Sequence, residues 1–122
     1  MKCRILVIDD SESVLTATRL ILEHNGYEVL TSVTPLGMTK LILEAQPNLI
    51  LLDIAMPAMG GERLLSVLRK YQSLSDVRVV FHSGKEEDEL REMAESFGAD
   101  GFIKKSLDPE VLPKQVAEFL SP

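Results

Sequence analysis

The sequence lacks the residues and segments that mark secreted and membrane proteins. Of its 122 residues only Cys3 is a cysteine, so no internal disulfide can form, which is typical of a reducing compartment. Charged and polar residues interrupt every apolar run well short of the ~20 residues that a membrane-spanning helix needs. The first residues also lack the pattern of a secretory signal peptide. We therefore expect a cytoplasmic protein that does not cross a membrane.

A net positive charge is also absent. The chain carries 13 Lys and Arg residues against 19 Asp and Glu residues, which gives a formal net charge of −6. Because proteins that bind nucleic acids need a basic surface, we expect no direct contact with DNA or RNA. The negative charge is compatible with binding a cation or a basic partner.

Repeats, linkers and low-complexity segments are missing as well. Apolar residues make up 45% of the chain, which favours a globular fold over disorder. The length favours a single domain over residues 1–122. Because the last predicted helix reaches the end of the sequence, we expect no output domain within it.

Short apolar segments alternate with segments of helical periodicity. The predicted strands are Arg4–Ile8, Tyr27–Ser32, Leu49–Leu52, Val77–Phe81 and Gly101–Ile103. The predicted helices run from Ser11 or Ser13 to about His24, from Thr34-Pro35 to Pro47, through Leu64, Leu68 and Tyr71, from Glu86 to Phe97, and from Asp108 to Leu120. This alternation predicts an α/β fold, a doubly wound parallel sheet of five strands with five helices covering both faces.

Polar residues follow the carboxyl ends of several predicted strands. Asp9-Asp10 follow the first strand and Asp53 follows the third. Ligand sites of open α/β sheets form at this edge, so the three carboxylates converge if the first strand lies beside the third. Carboxylates that share a pocket repel each other unless a cation is present. The hard divalent ion Mg²⁺ is therefore the predicted cofactor.

The other strand ends carry a hydroxyl group and two ammonium groups. Ser83 follows the fourth strand, and Lys104-Lys105 follow the fifth. A hydroxyl and an ammonium beside carboxylates suit a phosphoryl group, which a carboxylate can accept as a nucleophile. Mg²⁺ and a lysine would neutralise the charge of the transferred group. The pattern predicts phosphoryl transfer to a carboxylate.

Together these residues resemble the receiver domain of two-component response regulators, over essentially the whole chain. The likeness rests on Asp9-Asp10, the D-x-x-M-P-x-x-x-G pattern of Asp53–Gly61, Ser83, and the G-A-x-x-F-I-x-K pattern of Gly98–Lys105. The resemblance implies a flavodoxin-like fold with the strand order 2-1-3-4-5.

The resemblance assigns the acidic residues to phosphorylation and to metal binding. It implies that Asp53 is the phosphoacceptor. Asp10 would bind Mg²⁺ directly, and Asp9 would bind it directly or through water. Asp53 itself and the backbone carbonyl of Ala55 would complete the protein's metal ligands.

The remaining site residues would act on the phosphoryl group. Ser83 would hydrogen-bond one phosphoryl oxygen, and Lys105, which strand alternation separates from Lys104, would pair with another. Phe102 occupies the aromatic switch position of the family. Ser106 stands where the family usually has proline after a cis peptide bond. A cis peptide bond before a residue other than proline costs about 2.5–4 kcal/mol. We therefore expect a trans bond between Lys105 and Ser106 and a less firmly positioned Lys105.

The resemblance implies a signalling switch rather than an enzyme with a separate substrate. A sensor histidine kinase or a phosphotransfer protein would donate the phosphoryl group to Asp53. The face formed by the fourth predicted helix, the fifth strand and the fifth helix would then change shape and bind a downstream protein. The chain would act as a monomer or as a phosphorylation-linked dimer.

Three other functions make different demands on the sequence. A haloacid dehalogenase-type phosphatase needs a second Asp two residues after its nucleophile, where this chain has Ala55. A flavin- or nucleotide-binding module needs a phosphate-binding loop after the first strand, where Asp9-Asp10 would repel a phosphate. A receiver fold used as a phosphorylation-independent docking or dimerisation module stays open, because Ser106 departs from the family.

Overall fold

Five parallel strands form one sheet in this computed structural model, which describes residues 2–34, 37–54, 76–106 and 108–121. The sheet has the order β2-β1-β3-β4-β5. Its strands are β1 (Arg4–Ile8), β2 (Glu28–Ser32), β3 (Leu49–Leu52), β4 (Arg78–Ser83) and β5 (Gly101–Lys104). The strand order and the parallel pairing confirm the predicted flavodoxin-like fold.

Four helices lie within the described residues. They are α1 (Glu12–His24), α2 (Met38–Ala45), α3 (Glu87–Phe97) and α4 (Val111–Leu120). The predicted helix through Leu64, Leu68 and Tyr71 falls outside the described residues. None of the described helices combines the length and the apolar character that crossing a membrane requires.

The start of α2 differs from the prediction. The helix begins at Met38, with Gly37 as its N-cap, rather than at Thr34-Pro35. Gly37 has a left-handed backbone with a φ of 73°. A right-handed helix cannot continue through that conformation, so α2 begins only after this glycine.

The sheet buries apolar side chains on both of its faces. One face contributes to a cluster with α1 and α4, here called the α1/α4 cluster, and the other packs against α2 and α3. All four residues of β3 are buried, as the uninterrupted apolar run predicts. The α1/α4 cluster consists of Ile5, Val7, Leu15, Leu22, Val29, Leu49, Leu51, Val80, Ile103, Leu112 and Val116.

Gly101 allows the ring of Phe119 in α4 to pack against β5. A Cβ atom at position 101 would lie 2.6 Å from Cζ of Phe119, so the ring would have to move. We expect Gly101→Ala to lower the free energy of unfolding by about 1–3 kcal/mol, as overpacked sites do. Urea denaturation measures this change. Gly84→Ala is the control, since its Cβ would meet no atom within 4 Å, and equal midpoints for both variants would contradict the prediction.

Candidate functional site

Three carboxylates meet at the carboxyl edge of the sheet. Asp9 directly follows β1 and Asp53 directly follows β3, and these strands pair with Ile8 beside Leu52. Asp9 is 1% exposed and Asp53 is 4% exposed, whereas Asp10 is on the surface. One carboxylate oxygen from each Asp lies within 4.8 Å of the others. The structure thus brings together the acidic residues that the sequence predicted.

Hydrogen bonds to backbone groups position the two buried aspartates. The Asp53 N–H donates to the Ile8 carbonyl at 2.9 Å, which extends the pairing of β1 with β3. Oδ1 of Asp9 accepts the N–H of Ser11 at 2.9 Å. Ser11 is the N-cap of α1, and its Oγ accepts the N–H of Val14 at 3.4 Å. The first turn of α1 therefore holds the Asp9 side chain in place.

The ammonium of Lys105 faces both buried carboxylates. Its Nζ lies 2.7 Å from Oδ2 of Asp9 and donates to Oδ2 of Asp53 at 3.3 Å. Burial alone would lower the pKa of Lys105, but the hydrogen bond to Asp9 and the charge of Asp53 outweigh it and raise the pKa. Lys105 therefore stays protonated and supplies one positive charge to the site.

Strand alternation separates the two neighbouring lysines. Lys104 points away from the carboxylates, and its Nζ lies 3.4 Å from Glu86. The N–H of Lys105 donates to the Ser83 carbonyl at 2.7 Å, so its backbone is tied to β4. No peptide bond among the described residues is cis, which confirms the predicted trans bond between Lys105 and Ser106.

Ser83 is the last residue of β4, and Phe102 lies within β5. Ser83 is 2% exposed, and its Oγ accepts the N–H of Lys85 at 3.3 Å. Phe102 pairs with Phe81 of β4 and is half-buried, with the guanidinium of Arg91 5.4 Å from its ring centroid. Ala55, the predicted carbonyl ligand, falls outside the described residues.

His82 is a site residue that the sequence analysis missed. It is 1% exposed, and its Nε2 has no hydrogen-bond partner among the described residues. Burial and the charge of Lys105 lower the pKa of His82 to about 4, although Asp9 and Asp53 act in the opposite direction. The ring is therefore neutral at neutral pH. A histidine that interrupts an apolar run directly before Ser83 was the signal in the sequence.

The donor set suits a hard divalent cation. Asp9, Asp10 and Asp53 offer only carboxylate oxygens within 4.8 Å of one another, which are the ligands that Mg²⁺ prefers. Among the residues that the structure describes, three carboxylates and one ammonium leave an excess of negative charge at this edge. The residues present therefore fit Mg²⁺.

Comparisons with known proteins agree on one family. A family model described as the response regulator receiver domain matches residues 5–117. The CAI-1 autoinducer sensor kinase/phosphatase CqsS of Vibrio cholerae is 30% identical over 96% of this chain and 17% of its own length. The alkaline phosphatase synthesis transcriptional regulatory protein PhoP of Bacillus subtilis is 28% identical over 98% of this chain and 49% of its own. The chain thus spans half or less of these two relatives.

Solved structures show the same fold. A CheY-like response regulator receiver domain protein from Methanospirillum hungatei is 32% identical, with a TM-score of 0.80 over 98% of this chain and 94% of its own. The chemotaxis protein CheY4 of Vibrio cholerae has a TM-score of 0.88 over 98% of this chain and all of its own, and at 24% identity it supports the fold alone. This chain belongs to the response regulator receiver domain family.

Proposed function

We propose that residues 1–122 form a single receiver domain that accepts a phosphoryl group on Asp53. Receiver domains are phosphorylation-based signalling switches rather than conventional enzymes, and histidine kinases or phosphotransfer proteins are their partners. The surroundings of Asp53 support the proposal. Its carboxylate is buried at the end of a strand beside Asp9, and the Lys105 ammonium is 3.3 Å away. A cytoplasmic location, predicted from the composition, is part of the proposal.

The proposed reaction is a transfer between two nucleophiles. An oxygen of Asp53 attacks the phosphorus of a phosphohistidine on the donor protein. The new P–O bond forms as the P–N bond breaks. The electron pair of the P–N bond returns to the donor imidazole. Lys105 keeps its proton throughout and neutralises charge on a phosphoryl oxygen. The Ser83 hydroxyl donates a hydrogen bond to another oxygen.

Mg²⁺ is the proposed cofactor of this transfer. The carboxylates of Asp9, Asp10 and Asp53 and the carbonyl of Ala55 would hold it, and when bound it supplies positive charge that offsets the charge of the phosphoryl group. The cluster of carboxylate oxygens within 4.8 Å supports this assignment.

Phosphorylation would alter a surface as well as the site. Phosphorylation brings the charge at Asp53 to about −2, which attracts the Ser83 hydroxyl and the Lys105 ammonium. Movement of Ser83 frees space for Phe102, which is half-buried in the adjacent strand. The face of α3, β5 and α4 then changes and binds a downstream protein. The chain would do so as a monomer or as a phosphorylation-linked dimer.

Intact-protein mass spectrometry tests the acceptor. After incubation with acetyl phosphate and Mg²⁺, we expect the native chain to gain the mass of one phosphoryl group and Asp53→Asn to gain none. Asp88→Asn is the matched control, because this carboxylate is fully exposed on α3, and it should gain the same mass as the native chain. A native chain that gains no mass and binds no Mg²⁺ would refute the proposal and favour a docking or dimerisation module.

A further inference from the structure

His82 lies in the same row of side chains as the buried carboxylates. Val7, Leu51 and Val80 pair across β1, β3 and β4 and belong to the α1/α4 cluster. Side chains of a strand return to the same face every second residue. The residues two positions further along these strands therefore continue the row on the same face, and they are Asp9, Asp53 and His82.

Lys105 and Asp53 lie on opposite sides of β4, the strand that contains His82. Lys105 follows β5, whereas Asp53 follows β3, and β4 lies between these two strands. The Lys105 ammonium is nevertheless 3.3 Å from Asp53 and 2.7 Å from Asp9. Because neighbouring strands are ~4.8 Å apart, the Lys105 side chain extends across the end of β4. His82 is the buried residue of β4 on this face at that point.

Filling space does not account for a histidine here. The ring is 1% exposed and its Nε2 has no partner among the described residues. A buried polar atom without a partner lowers stability, and an apolar side chain of similar size would fill the same space without that cost. A role within the site is the alternative to a purely structural one.

We propose that His82 is a positioning residue that supports the Lys105 side chain across β4 and directs its ammonium to Asp53. Because Nε2 of His82 has no hydrogen-bond partner among the described residues, the ring does not bind the ammonium, which stays directed at Asp53. This inference rests on the proposed function, because the ammonium is directed at the proposed acceptor. It assigns a role to a residue outside the family motifs described above.

A double-mutant cycle with Lys105 tests this role. We expect His82→Leu to slow phosphorylation by acetyl phosphate and Mg²⁺ about tenfold, as a small misplacement of a charged group does. In a Lys105→Gln background the same substitution should change the rate by less than about twofold, because no ammonium is left to position. His82→Gln, which keeps a polar side chain, should restore most of the rate. His24→Leu, at an exposed histidine, should match the native chain.

Two results would overturn the inference. One is a folded His82→Leu variant that is phosphorylated at the native rate. The other is a double variant whose loss equals the product of the two single losses, which a merely structural effect would produce. If His82→Leu does not fold, His82→Ala, which removes the ring, takes its place in the cycle with the same expectations. A native chain that takes up no phosphoryl group and binds no Mg²⁺ would instead refute the proposed function, so the two failures are distinguishable.

Discussion

Lys105→Gln is expected to slow phosphoryl uptake by Asp53 about 10²-fold, whereas Lys104→Gln should leave the rate near the native value. The ammonium of Lys105 lies 3.3 Å from Asp53, and a fixed positive charge beside the transferred group contributes on this order to phosphoryl transfer. The Lys104 ammonium contacts Glu86 instead, away from the carboxylates. Acetyl phosphate kinetics followed by intact mass would measure both variants, and equal losses in the two would contradict the prediction.

The same substitution should lower stability when no divalent cation is present. Asp9 and Asp53 are almost fully buried, and removing the ammonium takes the positive charge of Lys105 away from two adjacent negative charges. Breaking a buried ion pair at one partner costs 3–5 kcal/mol, and the partial exposure of Lys105 reduces our expectation to about 1–3 kcal/mol. Urea denaturation in EDTA measures the loss. Lys104→Gln, which breaks an exposed pair, should cost less than about 1 kcal/mol.

Mg²⁺ should then bind more tightly to Lys105→Gln than to the native chain. The ammonium 2.7 Å from Asp9 repels a cation that uses the same carboxylates, so its removal raises the affinity. Binding to the folded state alone stabilises it, and Mg²⁺ should therefore recover much of the lost stability. Isothermal titration and denaturation with and without Mg²⁺ report this independently of phosphorylation. An unchanged affinity would show that the metal and the lysine do not share these carboxylates.

The alternation of side chains along a strand and the positions of the strand ends could be predicted from the sequence. The run Leu49–Leu52 is buried throughout and forms β3 with the predicted bounds. The spacing of the receiver-domain pattern selected Lys105 over Lys104, and the period of two required the two side chains to lie on opposite sides, because that period depends only on the local backbone. Asp9 and Asp53 come together as expected, since their strands are neighbours in the sheet.

Features that depend on pairing between distant segments could not be predicted from the local sequence. The fourth strand was predicted to end at Phe81, which left His82 outside it. In the structure β4 continues to Ser83, because His82 pairs with Ile103 and Ser83 pairs with Lys104 of β5. The local sequence does not contain that partner. The extension buries His82 and makes it a member of the site.

His82 should make the fold sensitive to mild acid. Its pKa is about 4 in the folded chain against 6.5 in a solvated histidine. The unfolded chain therefore binds more protons between these values, and the contribution of His82 to stability, complete above 6.5, is lost as the pH falls towards 4. From about pH 7 to about pH 5 the expected loss is about 2 kcal/mol. Urea denaturation in EDTA across this interval measures it.

Comparison with His82→Leu isolates the histidine from other titrating groups. The leucine variant has no proton to gain at this position, so its stability should fall by about 2 kcal/mol less than that of the native chain over the same interval. His24→Leu should retain the native pH dependence, because His24 is exposed at the end of α1. If the native chain and His82→Leu lose stability in parallel, the ring is not held neutral by burial and by Lys105. In that case the pKa of His82 lies close to its ordinary value, and the ring takes up a proton in the folded chain as readily as in the unfolded chain.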